Sequence, residues 1–584
     1  MDLHRYRFQT KHPLLSLLAV DVAALLFAAI PASGAPISSE NSVVPNSGNV
    51  INTTGDVSIT LGGTTFINHG LQGVGRVSAS ALDQFGDTLG SISGLAITNW
   101  AKSGSSYTGV FNTLPDRGFN AGSIFSDYAA RIEQFDFNFT PYTGAANIGG
   151  TTTAEKVAAQ NQIVANYAGG VKFTYDIAGG GTSVTTGLNP PVGLPGVGSI
   201  PIGSSVPFVT SYTPTVGPSA GTPVPVNKLT LDSEALVLKG DGSGYVGDEY
   251  GANIYHFDSN KKIDAILPIP GALKPRTAGV TSYDAVNTPT DGRRNNQGFE
   301  GVSLSPDGKT LFVLAQSATV QDSGGGNQGR LNTRMLVYDV SSTATPSAPS
   351  AEYVVRLPTL NDGTDGSNLT TPNKTAAQSE IIALDSHRIL VLSRDSNGAN
   401  IQGTNGVTNV PPKFKSVLLV DLNVAGTDII NLPGVNGDGE KITSSGSTLK
   451  PGITPLAWSE ALNMLNLADL DKFNVRIDNF STPDLLTLSE KWEGMALVPA
   501  LDPLAPNDYF LFIANDNDFI TTDGHMLLSD GSTTYNATNG APGSWQNDTM
   551  FLAYRVSIVP EPGTLALVGL SLTGLGFARR RKAS

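Results

Sequence analysis

Apolar and polar positions recur along this chain in a unit that appears five times. Each copy opens on a short apolar-rich stretch: SGLAIT from Ser93, SEALVL from Ser233, FEGVSL from Phe299, SEIIAL from Ser379 and WEGMAL from Trp492. A second apolar run follows each, and four of the five place a polar or charged pair at or just past its end. These pairs are Asp116 with Arg117, Asp248 with Glu249, Arg394 with Asp395, and Asn515 with Asp516; the third copy has Gln316 and Ser317 there. Self-similar β-rich units that cannot bury their faces alone predict stacked blades. The expected fold is all-β, a single β-propeller over residues 75–558. Successive copies start 140, 66, 80 and 113 residues apart. Blades of about 40 to 45 residues with insertions, or with one or two undetected blades, would give six or seven in all. The apolar run at residues 550–558 is expected to complete a terminal blade and close the ring.

Turn chemistry and composition support this division. Pro306, Asp307 and Gly308 in LSPDGKTLFVL, and Asp385 to His387 in the fourth copy, sit where hairpins need them. With 65 Gly and 36 Pro in 584 residues, many short runs divided by turns suit an all-β body. Residues 179–225, nearly free of charge and dense in Gly, Pro, Thr and Val, are expected to form a surface insertion, because a blade interior tolerates little Pro. Residues 36–74 read as a linker or leader strand. There is no cysteine, so neither disulfides nor thiolate metal sites contribute. A formal net charge of −14 excludes sequence-independent nucleic-acid binding, which needs clustered cations. It favours divalent cations instead.

The repeat places acids at equivalent points. Glu234, Glu300, Glu380 and Glu493 start one strand, while the polar pairs end its antiparallel neighbour, so both sets are expected at one rim around the central channel. A ring of carboxylates there could hold a hard cation through oxygen ligands. On this reading Asp248, Glu249, Glu380, Asp395 and Asp516 are candidate ligands for such a cation, and the family resemblance given below implies Ca2+. Arg117 and Arg394 beside them suit bidentate phosphate recognition, and equally suit salt bridges between blades. The same acids could instead accept hydrogen bonds from the backbone of a neighbouring blade.

Other motifs fail on context. GPSAG from Gly217 has nucleophile-elbow spacing but lies in Pro-rich low complexity. GSGYVG from Gly242 leads into a strand rather than a helix. None of the six histidines makes HExxH spacing. NGDGE from Asn436 and NDND from Asn515 offer calcium-type ligands without full loop spacing.

The ends suggest a compartment. Basic residues Arg5, Arg7 and Lys11 precede an apolar run over residues 14–30 that ends in small residues, a pattern similar to a secretory signal over residues 1–35, although Asp21 interrupts the run. At residues 559–584, VPEPGT is followed by an apolar stretch and by Arg579, Arg580, Arg581 and Lys582. This tail resembles the bacterial PEP-CTERM sorting signal, carried by Pro560, Glu561 and Pro562. The resemblance implies export, transient membrane association through residues 565–578, and cleavage by an exosortase-type membrane protease.

The body resembles the phytase-like family, also described as esterase-like activity of phytase. The segments that carry the likeness are GFEGVSLSPDGKTLFVLAQS, LDSEALVLKGDGSGYVGDEYG, WEGMALVP and FNTLPDRGFN. It implies a secreted propeller and a calcium-assisted phosphoesterase. Family positions match Glu234, Glu300 and Glu493 at blade heads, Asp116 and Arg117 in the DRG segment, and Asp248 with Glu249 at a strand end. Glu300, Glu234, Glu493, Asp116 and Arg117 are therefore the expected catalytic residues. The first copy departs, with Gly94 where the others carry Glu. The alternative is a non-catalytic surface or matrix propeller that binds exopolysaccharide or a protein partner.

Overall fold

The computed structural model describes residues 36–118, 120–121, 124–177, 180–190, 206–213, 220–363, 371–398, 411–478, 483–519, 525–526 and 546–560. Strands dominate, and the two α-helices among these residues are short, Thr153–Ala159 and Leu467–Lys472. None of the helices described is long and apolar enough to cross a membrane. The signal-like residues 1–35 and the tail beyond Pro560, with Glu561 and Pro562, lie outside the described residues, as do parts of the 179–225 insertion.

Each copy of the repeat builds one antiparallel four-stranded sheet. The first sheet runs Gly94–Ser103, Ser106–Leu114, Arg131–Phe139, Ile163–Lys172, and the second Ser233–Leu238, Gly244–Asp248, Asn253–Phe257, Lys262–Ile266. The third is Phe299–Leu304, Thr310–Ala315, Asn332–Asp339, Ala351–Arg356; the fourth is Ala377–Ala383, Arg388–Arg394, Lys415–Asp421, Ala457–Asn463. In the fifth, Lys491–Pro499, Asp508–Asp516 and Thr549–Pro560 are completed by Thr64–Val77 from the other end of the chain. The predicted turns are present. Gly308 takes a φ of 72° where the hairpin reverses, and Ser305 Oγ donates to Asp307 at 2.6 Å. In the fourth sheet Asp385 accepts the amides of His387 and Arg388.

Five buried apolar clusters lie between consecutive sheets. Leu114 and Ile132 meet Leu236 and Tyr255 between the first and second. Val237 and Ile254 meet Val302 and Val313 between the second and third. Phe312 and Met335 meet Ile389 and Leu418 between the third and fourth. Leu392 and Leu419 meet Ile513 and Leu552 between the fourth and fifth. Phe510, Phe512 and Phe551 then pack on Phe111, Phe137 and Phe139 of the first sheet. Both faces of every sheet are thereby covered, which is why the inner strands read as continuous apolar runs rather than alternating ones.

Closure depends on small residues. Cβ added at Gly75 would stand 2.2 Å from the carbonyl oxygen of Ile163, where the fifth and first sheets touch edge to edge. At Gly94 it would stand 2.9 Å from the amide nitrogen of Leu236 in the second sheet. Gly94 pairs in register with Leu114, so the first sheet has no bulge where the second, third and fifth carry a glutamate.

Five four-strand units occur among the described residues, one per copy of the repeat, and pairing of Gly75 with Ile163 joins the first and fifth into one nine-stranded sheet. The long interval after the first sheet is filled by smaller elements: Thr174–Asp176 and Thr182–Val184 extend the second sheet, and Phe208–Tyr212 pairs with Val224–Leu229. The 179–225 insertion thus contributes strands to a sheet edge. The segment read as linker or leader strand is also part of the body, because Thr64–Val77 is the closing strand, and Ile37 and Val44 are buried against the third and fourth sheets.

Candidate functional site

Three of the repeated glutamates share an unusual backbone position. Ser233 pairs with Asp248 and Ala235 with Gly247, which leaves Glu234 between them as the extra residue of a β-bulge. Glu300 and Glu493 occupy the same bulge in the third and fifth sheets. A bulge re-aims the side chain it carries. In the fourth sheet the extra residue is Ser379, one position earlier, and Glu380 pairs in register with Leu392. A one-residue shift turns a side chain to the other face. Glu380 accordingly accepts the amide of Ile381 at 2.8 Å and that of Val302 in the neighbouring sheet.

Around the three bulges gathers a buried cluster of charge. Carboxylate oxygens of Asp116, Asp232 and Glu234 lie within 4.8 Å of one another, and so do those of Asp116, Asp516 and Asp518, with Asp116 common to both sets. Lys491 Nζ contacts Asp516, Asp518 at 2.8 Å and Glu493 at 3.4 Å. Ser91, held at a φ of 54°, donates to Asp516 and lies 3.5 Å from Asp116. A left-handed conformation is costly for serine and is retained where surrounding structure fixes it. Arg394 donates to Glu493, which also receives Ser93 Oγ at 3.4 Å. Arg117 is paired with Asp232 and lies 5.3 Å from the ring centres of Phe125 and Tyr250.

Several acidic oxygens in this cluster have no hydrogen-bond partner among the described residues: Asp232 Oδ1, Glu249 Oε1 and Glu300 Oε2. Gln316 Nε2 donates to the other oxygen of Glu300. Solvent reaches the cluster at Lys491 and Asp518, whose side chains are 21% and 25% exposed.

Burial and mutual repulsion raise the proton affinity of Asp116, Glu234, Glu249, Glu300 and Glu493. Burial pushes Asp116 well above the usual carboxylate range, with Asp516 adding to the effect and Lys491 opposing it. Glu234 and Glu300 are raised in the same way, by burial first and then by neighbouring acids. Glu249 is pushed up to about 8 and Glu493 to about 7, again by burial first. Asp516 is the exception. Burial would raise it, but Lys491, Ser91 and the Asp518 amide together outweigh that and hold it at about 2. Arg117 and Arg394 remain charged despite burial because Asp232 and Glu493 face them.

Not every expected residue joins this centre. Asp248 accepts the amides of Asp232, Tyr250 and Gly251 and the side chain of Asn253, and so fixes a turn. Asp395 accepts the amides of Lys413 and Phe414 and pairs with Lys415 at 3.0 Å. Together with Glu380, these acids are occupied by the fold itself. Conversely, Asp232, Lys491 and Ser91 belong to the centre without having been singled out, and Asp518 joins it as the last residue of NDND. The first two flank the repeat directly, in LDSEA and KWEG, and that adjacency was the available signal.

The donor set suits a hard cation: it is all oxygen and includes buried oxygens without partners among the described residues. The residues that fit best are Asp116, Asp232 and Glu234, since the other acidic trio already faces the Lys491 ammonium.

Comparison with known proteins bears on the whole chain. The phytase-like family, described as esterase-like activity of phytase, matches residues 87–519, and the PEP-CTERM protein-sorting motif matches residues 559–582. An uncharacterized secreted protein of Arthroderma benhamiae is 35% identical over 490 residues, 79% of this chain and 89% of its own length. Among solved structures, a luciferin-regenerating enzyme is 8% identical, with TM-score 0.22 over 90% of this chain and 95% of its own. The WD40 domain of Toxoplasma gondii coronin is 6% identical, with TM-score 0.23 over 88% and 89%. A Mycobacterium tuberculosis puromycin-hydrolyzing peptidase is 13% identical, with TM-score 0.21 over 68% of this chain, which spans 56% of that protein. Superpositions this weak carry no argument about the present site. The sorting motif makes this an exported protein of the cell surface or extracellular space. Since the family match runs through the first four sheets, the inner hairpin of the fifth and every member of the carboxylate cluster, the chain belongs to the phytase-like family.

Proposed function

We propose that the five sheets are the blades of a closed five-bladed β-propeller whose channel mouth hydrolyses a phosphate ester with the help of calcium. The observation that carries this reading is the set of buried acidic oxygens left without partners beside Arg394 and Lys491. Asp116, Asp232 and Glu234 would hold the ion. When bound, it would offset phosphate charge and acidify a water molecule. The protein's own groups do the rest. Lys491, at the exposed edge, attracts the phosphate dianion, and Arg394 presents a guanidinium fixed by Glu493, so the ester is oriented before reaction. Arg117 fixes Asp232 and through it the trio.

Processing follows from the tail. An exosortase-type protease is proposed to cut near Pro560, Glu561 and Pro562 after transient membrane association. Pro560 is the last residue of the strand Thr549–Pro560 and pairs with Thr64, so a cut beyond it leaves the closing strand whole.

The test is hydrolysis of 4-nitrophenyl phosphate by purified protein, with calcium and with chelator. Calcium-dependent turnover that is lost in Glu234→Gln is the expected result. Calcium binding without turnover on this or an alkyl phosphate would exclude catalysis and leave a surface propeller that binds glycan or a partner.

A further inference from the structure

The bulge glutamates are not equivalent in their hydrogen bonding. Glu493 is engaged by Lys491, Arg394 and Ser93. Glu300 has a single contact, from Gln316 Nε2 to Oε1, while Oε2 is buried without a partner and the residue as a whole is 4% exposed. An amide N–H directed at one oxygen of a carboxyl group leaves the acid proton to the other oxygen. A proton carried by Glu300 would therefore lie on Oε2, the oxygen that no group among the described residues takes up.

We propose that Glu300 is the proton donor to the departing ester oxygen, and that the site is accordingly fitted to esters of alcohols too basic to leave unprotonated. This rests on the phosphoesterase reading above. In the step, a water oxygen forms a bond to phosphorus as the bond from phosphorus to the ester oxygen breaks with its electron pair. The ester oxygen takes the proton from Glu300 Oε2 and leaves as the alcohol. The attacking water gives a proton to the carboxylate of Glu493, which passes it to solvent as Glu300 takes one up from solvent, so the net change is ester plus water to alcohol plus phosphate.

The surroundings of Glu300 suit a donor. Burial raises it most, Glu493 and Glu249 raise it further, and Arg394 and Lys491 oppose them without reversing the sign. Glu493, held nearer 7 by Lys491 and Arg394 against its burial, is the easier of the two to ionise. Two carboxyls whose surroundings hold one protonated and leave the other readily ionised divide into acid and base.

The experiment compares two substrates with calcium present: 4-nitrophenyl phosphate, whose phenol leaves readily as the anion, and glycerol 2-phosphate, whose alcohol does not. In Glu300→Gln, kcat/KM on glycerol 2-phosphate is expected to fall by about 10²- to 10⁴-fold, the usual worth of a general acid. On 4-nitrophenyl phosphate the fall should stay below roughly tenfold. The alkaline limb of the wild-type pH profile on the alkyl ester should also vanish in the variant. Gln316→Leu, which removes the amide that places the proton, should show a smaller loss confined to the alkyl ester. The calcium-induced rise in melting temperature should persist in both variants and so report that they fold. Equal losses on the two esters in folded protein, or no loss on either, would overturn the inference while leaving the phosphoesterase reading in place. Wild-type protein that turns over neither ester would remove both.

Discussion

Lys491 Nζ donates to Asp518 Oδ1 at 2.8 Å, at an edge of the carboxylate cluster that solvent reaches. The same ammonium contacts Asp516 and Glu493. One cation thus faces three acids drawn from the two ends of the fifth sheet's inner hairpin. Asp116 adds a fourth acidic group to its surroundings.

Replacing Lys491 with Met should therefore cost more than an ordinary surface pair. Removing one partner of a buried ion pair costs about 3–5 kcal/mol because the other charge is left unpaired. Since Lys491 is a fifth exposed, the lower end applies. We expect a loss of about 3 kcal/mol at neutral pH by urea denaturation. Because the remaining acids can take up protons, the loss should shrink as pH falls toward 5. A loss independent of pH would mean that Lys491 contributes packing rather than charge.

Glu380→Gln provides the contrast. Glu380 accepts amide N–H groups from Ile381 and Val302, and a glutamine carbonyl can accept the same bonds. Calcium binding should be unchanged and the stability change below about 1 kcal/mol. Glu234→Gln, one repeat position away in the alignment of letters, should weaken calcium binding measured by titration calorimetry by tenfold or more.

That contrast shows where the sequence was legible. The five copies gave the five sheets, because period and turn chemistry report directly on strands. The letters SE at 233–234 and at 379–380 look identical, yet the bulge falls on Glu234 in one and on Ser379 in the other. Register depends on pairing with the next strand, and no pattern within the strand records it. Residues 174–229 add strands outside the repeated unit, Thr174–Asp176 and Thr182–Val184 at an edge of the second sheet and Phe208–Tyr212 paired with Val224–Leu229. Asp232 and Lys491 were passed over because they precede the repeated letters in only one copy each, so repetition could not flag them.

Ring closure can be tested by volume. Cβ at Gly75 would meet backbone, 2.2 Å from the carbonyl oxygen of Ile163, and backbone cannot rotate aside. Gly75→Ala should destabilise by about 3 kcal/mol, the upper range for overpacking. Gly55→Ala is the control for surface substitution, since Gly55 has open space around its Cβ but a φ of 84°, and should lose only about 1 kcal/mol through left-handed strain. Similar losses in the two variants would show that the contact between the first and fifth sheets is not tight.

The pH dependence of stability follows from the same cluster, with opposite signs for different acids. Glu249 at about 8 and Glu493 at about 7 lie above the roughly 4.3 of an unfolded glutamate. Between those values the folded protein holds more protons than the unfolded chain, so stability falls as pH rises, by up to about 1.4 kcal/mol per unit for each group. Asp516, at about 2, acts the other way: its contribution is present above roughly pH 4 and is lost as pH falls toward 2. Chelated protein should therefore be most stable near pH 5 and should melt several degrees lower at pH 8. A bound divalent cation replaces the missing protons, so millimolar calcium should raise the melting temperature more at pH 8 than at pH 5. An equal rise at both values would mean that calcium binds away from these carboxyls, and no rise at either would mean that the cluster is held together by its own protons and by Lys491.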